Sequence, residues 1–541
     1  MAKPFSRALT CLQDAAAQFG PAAVPLRRDS LASIAALPLP KGGELVAYHD
    51  TLLFLCAYPS SAMEARLAER ELAGLARHLK ALPRRDAEAL QSEGLPFTPS
   101  LTRFTHDMLR WLLAQRECRV SLDTFSEPTV DLNAVLKLTL PTLERSETTA
   151  SRDNLELLDA LKVLPKNRLQ FLVDQLASLD ATPYIKDQLF DALDIYVRVE
   201  PRSQAFSRSY NRIASPVFVH DALLKSFDYK ALLNTPLPAA DALDSAGVEA
   251  LVKVIRNAMA LTVRETDPAT YTDLSNVRLY RLERGMAVAL FGMVPGRQLP
   301  LESYVGFTLF KNGLPMAYGG SWVFGARAKT GINIFEPFRG GESGTVLCQV
   351  MRTYRQAFGV DTFEVEPYQY GADNPDGIAS GAYWFYYKFG FRSVNAELAA
   401  LAEVERQKMQ LRKGYRSSEK TLIRFTWDNI ELELADKPAL RAAWVMERVT
   451  TWMAKKHGGN RVVAIAAAKK ALRQGLVRTL VPANADEQQA FEEVALMAVV
   501  LPPKTALQWQ AVADMVTAKP KDMFAYQRLL LAYLSQSTPK R

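Results

Sequence analysis

The sequence predicts an α+β protein: a central mixed sheet with flanking helices, preceded and followed by mainly helical regions. Three observations lead there. Residues 1–240 carry apolar positions at helical spacing, broken by proline. Between residues 241 and 432 the composition shifts to alternating, β-branched and aromatic runs. From 433 to 541 alanine-rich helical patterning returns.

In the first region Ala62 to Leu82 has no internal proline, and Met63, Leu67, Leu72, Leu75 and Leu79 recur at three to five residues. Thr105 to Arg116, Asn154 to Val163, Asn167 to Leu179 and Lys186 to Val197 read as further helices. The stretch Leu233 to Asp241, with two prolines, reads as a linker. A helix over Ser245 to Leu261 then opens the central domain.

Four strands follow: Asn276 to Leu282, Met286 to Phe291, Tyr304 to Phe310 and Met316 to Phe324. The last two flank Asn312-Gly313, a hairpin signal, because both residues tolerate the positive φ of a tight turn. Next come a strand at Gly331 to Phe335, a glycine-rich turn at Pro337 to Gly344, a helix at Thr345 to Gly359 and a strand at Asp361 to Glu366. An aromatic helix spans Ser380 to Phe391 and a charged one Glu397 to Leu411. Thr421 to Trp427 reads as a late strand returning to the sheet. Leu440 to Lys455, Arg461 to Leu480, Glu487 to Val500 and Asp522 to Leu534 read as the C-terminal helices.

At 541 residues the chain exceeds one core. No run of eighteen apolar residues predicts a membrane span, and Met1-Ala-Lys-Pro-Phe-Ser-Arg lacks an export core. Cys11, Cys56, Cys118 and Cys348 lie far apart, as suits buried thiols of a cytoplasmic protein. The net charge of +8 permits a nucleic-acid partner without calling for one.

A strand that delivers a glycine-rich turn to a helix N-terminus makes an anion cradle, since unpaired N–H groups and the helix dipole converge there. With its neighbours, this turn resembles the GNAT superfamily of N-acetyltransferases. The family's turn is written Arg/Gln-x-x-Gly-x-Gly/Ala. Here it reads Arg339-Gly-Gly-Glu342-Ser-Gly344, with Glu342 in place of the middle glycine. The family's Phe-Tyr-x-Lys-x-Gly-Phe is matched by Phe385-Tyr-Tyr-Lys-Phe-Gly-Phe391. The resemblance covers roughly residues 245–430.

It implies a GNAT-like mixed sheet with parallel strands that splay apart, and acetyl-CoA or another acyl-CoA as cosubstrate without a metal. Phe335, Glu336, Pro337, Phe338, Arg339, Gly340, Gly341, Ser343, Gly344 and Thr345 would hold the cosubstrate, the pyrophosphate on the turn amides and the pantetheine arm between the strands. Tyr386 would give a proton to the leaving thiolate. No histidine lies between Tyr229 and Lys456, so the base falls to a carboxylate: Glu366, where the family frequently places such a group, with Glu364 on the same face of that strand and Glu336 at the end of the preceding one as the others. Glu342 suits a helix N-terminus but repels a pyrophosphate unless it points away.

The acceptor would be an amine, on a macromolecule such as a protein if the helical flanks dock it. Two other readings stand beside this one: a non-catalytic scaffold of the same fold, and an acyltransferase using aminoacyl-tRNA or an acyl carrier protein. His49, His106 and His220 each precede an aspartate. A helical metal phosphohydrolase would need His78, His106, Asp107 and Asp159 to converge.

Overall fold

The computed structural model describes residues 4–150, 152–436, 438–476 and 480–536. The first region is helical, as expected, but not wholly so. It also builds a small antiparallel sheet from β1 (Ser100–Thr102), β2 (Cys118–Phe125) and β3 (Ile195–Pro201), in the order β1-β3-β2. The helix expected over Lys186 to Val197 therefore ends at Ala192. Asp194 turns the chain with φ +46°, and Ile195, Val197 and Val199 then alternate into a core.

The central sheet has eight strands: β4 (Thr272–Arg281), β5 (Met286–Met293), β6 (Ser303–Lys311), β7 (Leu314–Phe324), β8 (Arg327–Ile334), β9 (Thr362–Val365), β10 (Arg392–Ser393) and β11 (Ile430–Glu433). Their order is β10-β11-β9-β8-β7-β6-β5-β4, and every neighbour is antiparallel except β8 and β9. The Asn312-Gly313 hairpin forms with both residues at positive φ, pairing Lys311 with Leu314. A parallel pair needs a crossover, which the helix Ser343–Phe358 supplies.

Alternation sorts the strands onto two cores. Val288, Leu290, Val305, Phe307 and Leu309 face the crossover helix, whose Val346, Val350 and Tyr354 recur at every fourth residue, with Met351 beside them. Each large side chain buried this way contributes about 2 kcal/mol. The Tyr354 hydroxyl fastens the layer by donating to the Val305 carbonyl at 2.7 Å. The opposite face, with Ala287, Ala289 and Phe291, packs on the helix Ser245–Leu261.

The flanks are not separate bodies. Phe5, Leu12, Leu52 and Tyr58 of the first helices share the crossover-helix core. From the other end, the helix Met523–Ser535 stacks Phe524 on Phe358 at 5.1 Å and bonds Gln527 to Ser303.

One strand was misplaced by composition. Thr421 to Trp427 is not a strand. It lies in and just past a helix, Glu419–Phe425, capped by the Ser418 hydroxyl, which accepts from the Thr421 amide. The strand is β11, whose Glu431 reaches Arg327 across the sheet. Among the described residues no helix is long and apolar enough to cross a membrane.

Candidate functional site

The sheet opens where its one parallel pair ends. β8 and β9 pair through Arg327↔Thr362, Ala328↔Phe363 and Lys329↔Glu364. Beyond this β8 continues, still bound to β7 as far as Ile334, while β9 stops at Val365 and turns at Pro367. One edge of β8 thus loses its strand from Thr330 onward, and an exposed backbone edge needs a partner.

The partner is a side chain. The Ile332 amide donates to Gln369 Oε1 at 3.2 Å, and the Tyr386 hydroxyl donates to the same oxygen at 3.4 Å. The Gln369 amide also covers Gly331, where an added Cβ would lie 3.3 Å from Gln369 Nε2. A primary amide thus stands in for a missing strand. The gap is suited to an extended chain carrying amides.

Tyr386 belongs to the aromatic helix, Ala382–Lys388, which is shorter than the sequence suggested. Its ring is buried among Phe385, Phe391 and Tyr370. Burial raises its pKa above the usual phenol range, so the hydroxyl holds its proton at neutral pH.

The turn after β8 carries Phe335 stacked on Tyr318 at 5.0 Å, Glu336 exposed, and Pro337 and Phe338 buried. Arg339 is exposed and Gly340 takes φ +83°. Gly341 lies under the Tyr58 ring, where a Cβ would come within 2.8 Å. Among the described residues nothing accepts from the amides of Gly340, Ser343 and Gly344. The last two head the crossover helix. The Thr345 hydroxyl is occupied, donating to the Leu224 carbonyl at 2.9 Å.

Glu342 points away from these amides. Its Oε1 accepts from the Leu224 amide at 2.8 Å and from Arg284 at 2.6 and 2.9 Å; its Oε2 accepts from Lys311 Nζ at 2.7 Å. Burial alone would push this carboxyl up, but Lys311, the Leu224 amide and Arg284 hold it below the usual range. Burial pulls Lys311 down to about 8 even though Glu342 opposes it. The residue that breaks the sequence pattern is therefore an internal ion pair tying the turn to the β4–β5 connection and to the N-terminal region.

The two halves of the sequence signature touch. A Cβ on Gly344 would fall 2.6 Å from Phe389 Cζ, so the glycine lets the aromatic helix close on the helix N-terminus.

Glu366 lies on the other face of the sheet from Tyr386, since β9 alternates Phe363 and Val365 toward the crossover helix. It pairs with Lys329 Nζ at 2.7 Å, and that ammonium sits 4.8 Å from the Trp322 ring. Glu364, on the same face, is taken by Arg327 and Asn429. Tyr370 is buried with its hydroxyl on the Asp428 carbonyl, while Tyr368 is 57% exposed.

A polar cleft of about 230 Å³ flanks the turn, with Arg208, Arg264, Asn333, Glu336 and Arg339 in its wall. A larger cleft, about 930 Å³, is lined by Trp384, two positions from Tyr386 and so on another side of the aromatic helix. The unpaired amides and the strand gap mark the site better than volume does.

The phosphohydrolase set does not converge. His106 Nε2 bonds the Val173 carbonyl at 2.9 Å, Asp107 pairs with Arg297, and Asp159 pairs with Arg168. Among the described residues no group of three or more His, Cys, Asp or Glu is placed to hold a metal. Sequence reasoning passed over Gln369 and Lys329; neither sits in a motif. No family model matches this chain, and neither a curated protein nor a solved structure does.

Proposed function

We propose that residues 241–432 form an acyl-CoA-dependent N-acyltransferase. The observation that carries this reading is the parting of β8 from β9 directly beside the unpaired turn amides, with Tyr386 reaching the gap. Those amides and the exposed Arg339 suit a pyrophosphate. The pantetheine arm carries two amides and would replace the Gln369 amide at Ile332. A strand order with one parallel pair joined by the crossover helix is the arrangement the GNAT resemblance implies.

In the reaction an acceptor amine attacks the thioester carbonyl, the C–N bond forms and the C–S bond breaks. Tyr386, protonated at neutral pH, gives its proton to the thiolate. Glu366 receives the amine's proton from the opposite face. Holding both reactants at the mouth of one gap supplies the proximity that dominates such transfers.

A second reading has an observation of its own. Gln369 fills the gap and Tyr386 is 4% exposed, as a binding or scaffold module would have them. Calorimetric titration with acetyl- and longer acyl-CoA separates the two. Binding with turnover that Tyr386→Phe cuts, affinity being kept, supports the enzyme; absence of binding at millimolar ligand supports the scaffold.

A further inference from the structure

We propose that Lys329 is a site of self-acylation, an inference that rests on the N-acyltransferase reading. Lys329 is the last residue of β8 that pairs with β9, its partner being Glu364. Its side chain reaches Glu366, two residues beyond Glu364 and just past the end of β9, and donates to Oε1 at 2.7 Å. It therefore leans toward the place where the strands part and spans the mouth of the gap from one strand to the other.

Its surroundings are those an acceptor amine would want. Glu366 is placed to take a proton. Trp322, stacked on Tyr304 at 4.4 Å and 5°, sets its ring 4.8 Å from the Lys329 ammonium and holds the side chain in place; the contact favours the charged form, so the proton has to be taken by Glu366. The Lys329 side chain is 34% exposed, so it is neither locked in nor cut off from a thioester in the gap. Lys311, by contrast, is sealed against Glu342 with no exposure.

The step balances. Glu366 takes one proton from the Lys329 ammonium, and the free Nζ attacks the acyl carbonyl. The C–N bond forms while the C–S bond breaks. The thiolate leaves with the proton of Tyr386, and the second nitrogen proton, lost as the amide forms, restores the phenol. The proton on Glu366 passes to water. The amide carries no charge, so the clasp between Lys329 and Glu366 is released.

The test uses the full chain incubated with isotopically labelled acetyl-CoA, followed by peptide mass spectrometry and, in parallel, calorimetric titration with CoA. Label should appear on Lys329 ahead of every other lysine. Tyr386→Phe should slow it about a hundredfold or more, the scale of a lost general acid. Lys329→Arg should bind CoA and take no label there. If CoA binds but Lys329 is labelled no faster than exposed lysines, or equally fast in Tyr386→Phe, self-acylation is overturned and the acyltransferase reading stands. If neither binding nor label is seen, both fall.

Discussion

Replacing Glu342 by glycine would bring the turn closer to the GNAT pattern, yet the structure predicts damage. Glu342 and Lys311 have no exposed side-chain surface, and four hydrogen bonds from Leu224, Arg284 and Lys311 converge on the carboxylate. Without it Lys311 keeps one acceptor of those described, the Arg284 carbonyl at 2.9 Å. Breaking a buried pair by removing one partner costs about 3–5 kcal/mol. Arg284, 21% exposed, recovers some hydration, and Lys311, already down at about 8, sheds its proton once the carboxylate is gone. Both soften the loss, so Glu342→Gly should cost about 3 kcal/mol. Urea denaturation followed by tryptophan fluorescence reads this as a lower midpoint. Pairing Glu342→Gln with Lys311→Met should recover most of it, because no uncompensated charge then stays buried. A loss under about 1 kcal/mol, or tighter CoA binding by Glu342→Gly, would refute the inward orientation of the carboxylate.

Other consequences follow from the same geometry. Gly344→Ala should lower stability by about 1–3 kcal/mol and weaken CoA binding, since its Cβ would press on Phe389 and move the aromatic helix off the turn; thermal melts beside titrations check both. Stability should fall on acidification. Burial drives His220 down to about 3 and Lys311 adds to the shift, so below the ordinary histidine pKa the unfolded chain binds a proton that the folded state refuses. Stability is then full above about pH 6.5 and declines by a few kcal/mol as pH drops toward 3. Glu342 adds a loss of the same sign at lower pH, its folded pKa being depressed and its stabilisation present above about 4.5. Urea midpoints from pH 7.5 downward read the slope, and His220→Phe should flatten its upper part.

What the sequence disclosed follows the range of the forces involved. β5, β6 and β7 were legible because short apolar and aromatic runs and the Asn312-Gly313 turn act within a few residues. Thr421 to Trp427 deceived because its β-branched and aromatic residues look like a strand, while the Ser418 cap and the burial of Leu422 and Phe425 three apart decide for a helix. β11 hid because Ile-Glu-Leu-Glu reads as a charged edge, and its Glu431 is explained by Arg327, 104 residues away. At the site, the turn and the Phe385 to Phe391 segment were visible as local patterns, and the contact between Gly344 and Phe389 joins them. The direction of Glu342 was not visible, because its partners lie 31, 58 and 118 residues off. Gln369 was beyond reach for the same reason: a glutamine in a short turn becomes meaningful once Ile332 is seen to need an acceptor.

The central claim is that an acyl donor takes the place of the Gln369 amide on β8. Titrating the wild type and Gln369→Ala side by side with acetyl-CoA tests it most directly. A competing hydrogen bond is worth about 1 kcal/mol, so removing it should tighten binding about fivefold. Binding that is absent from both proteins, or unchanged by the substitution, would contradict the account.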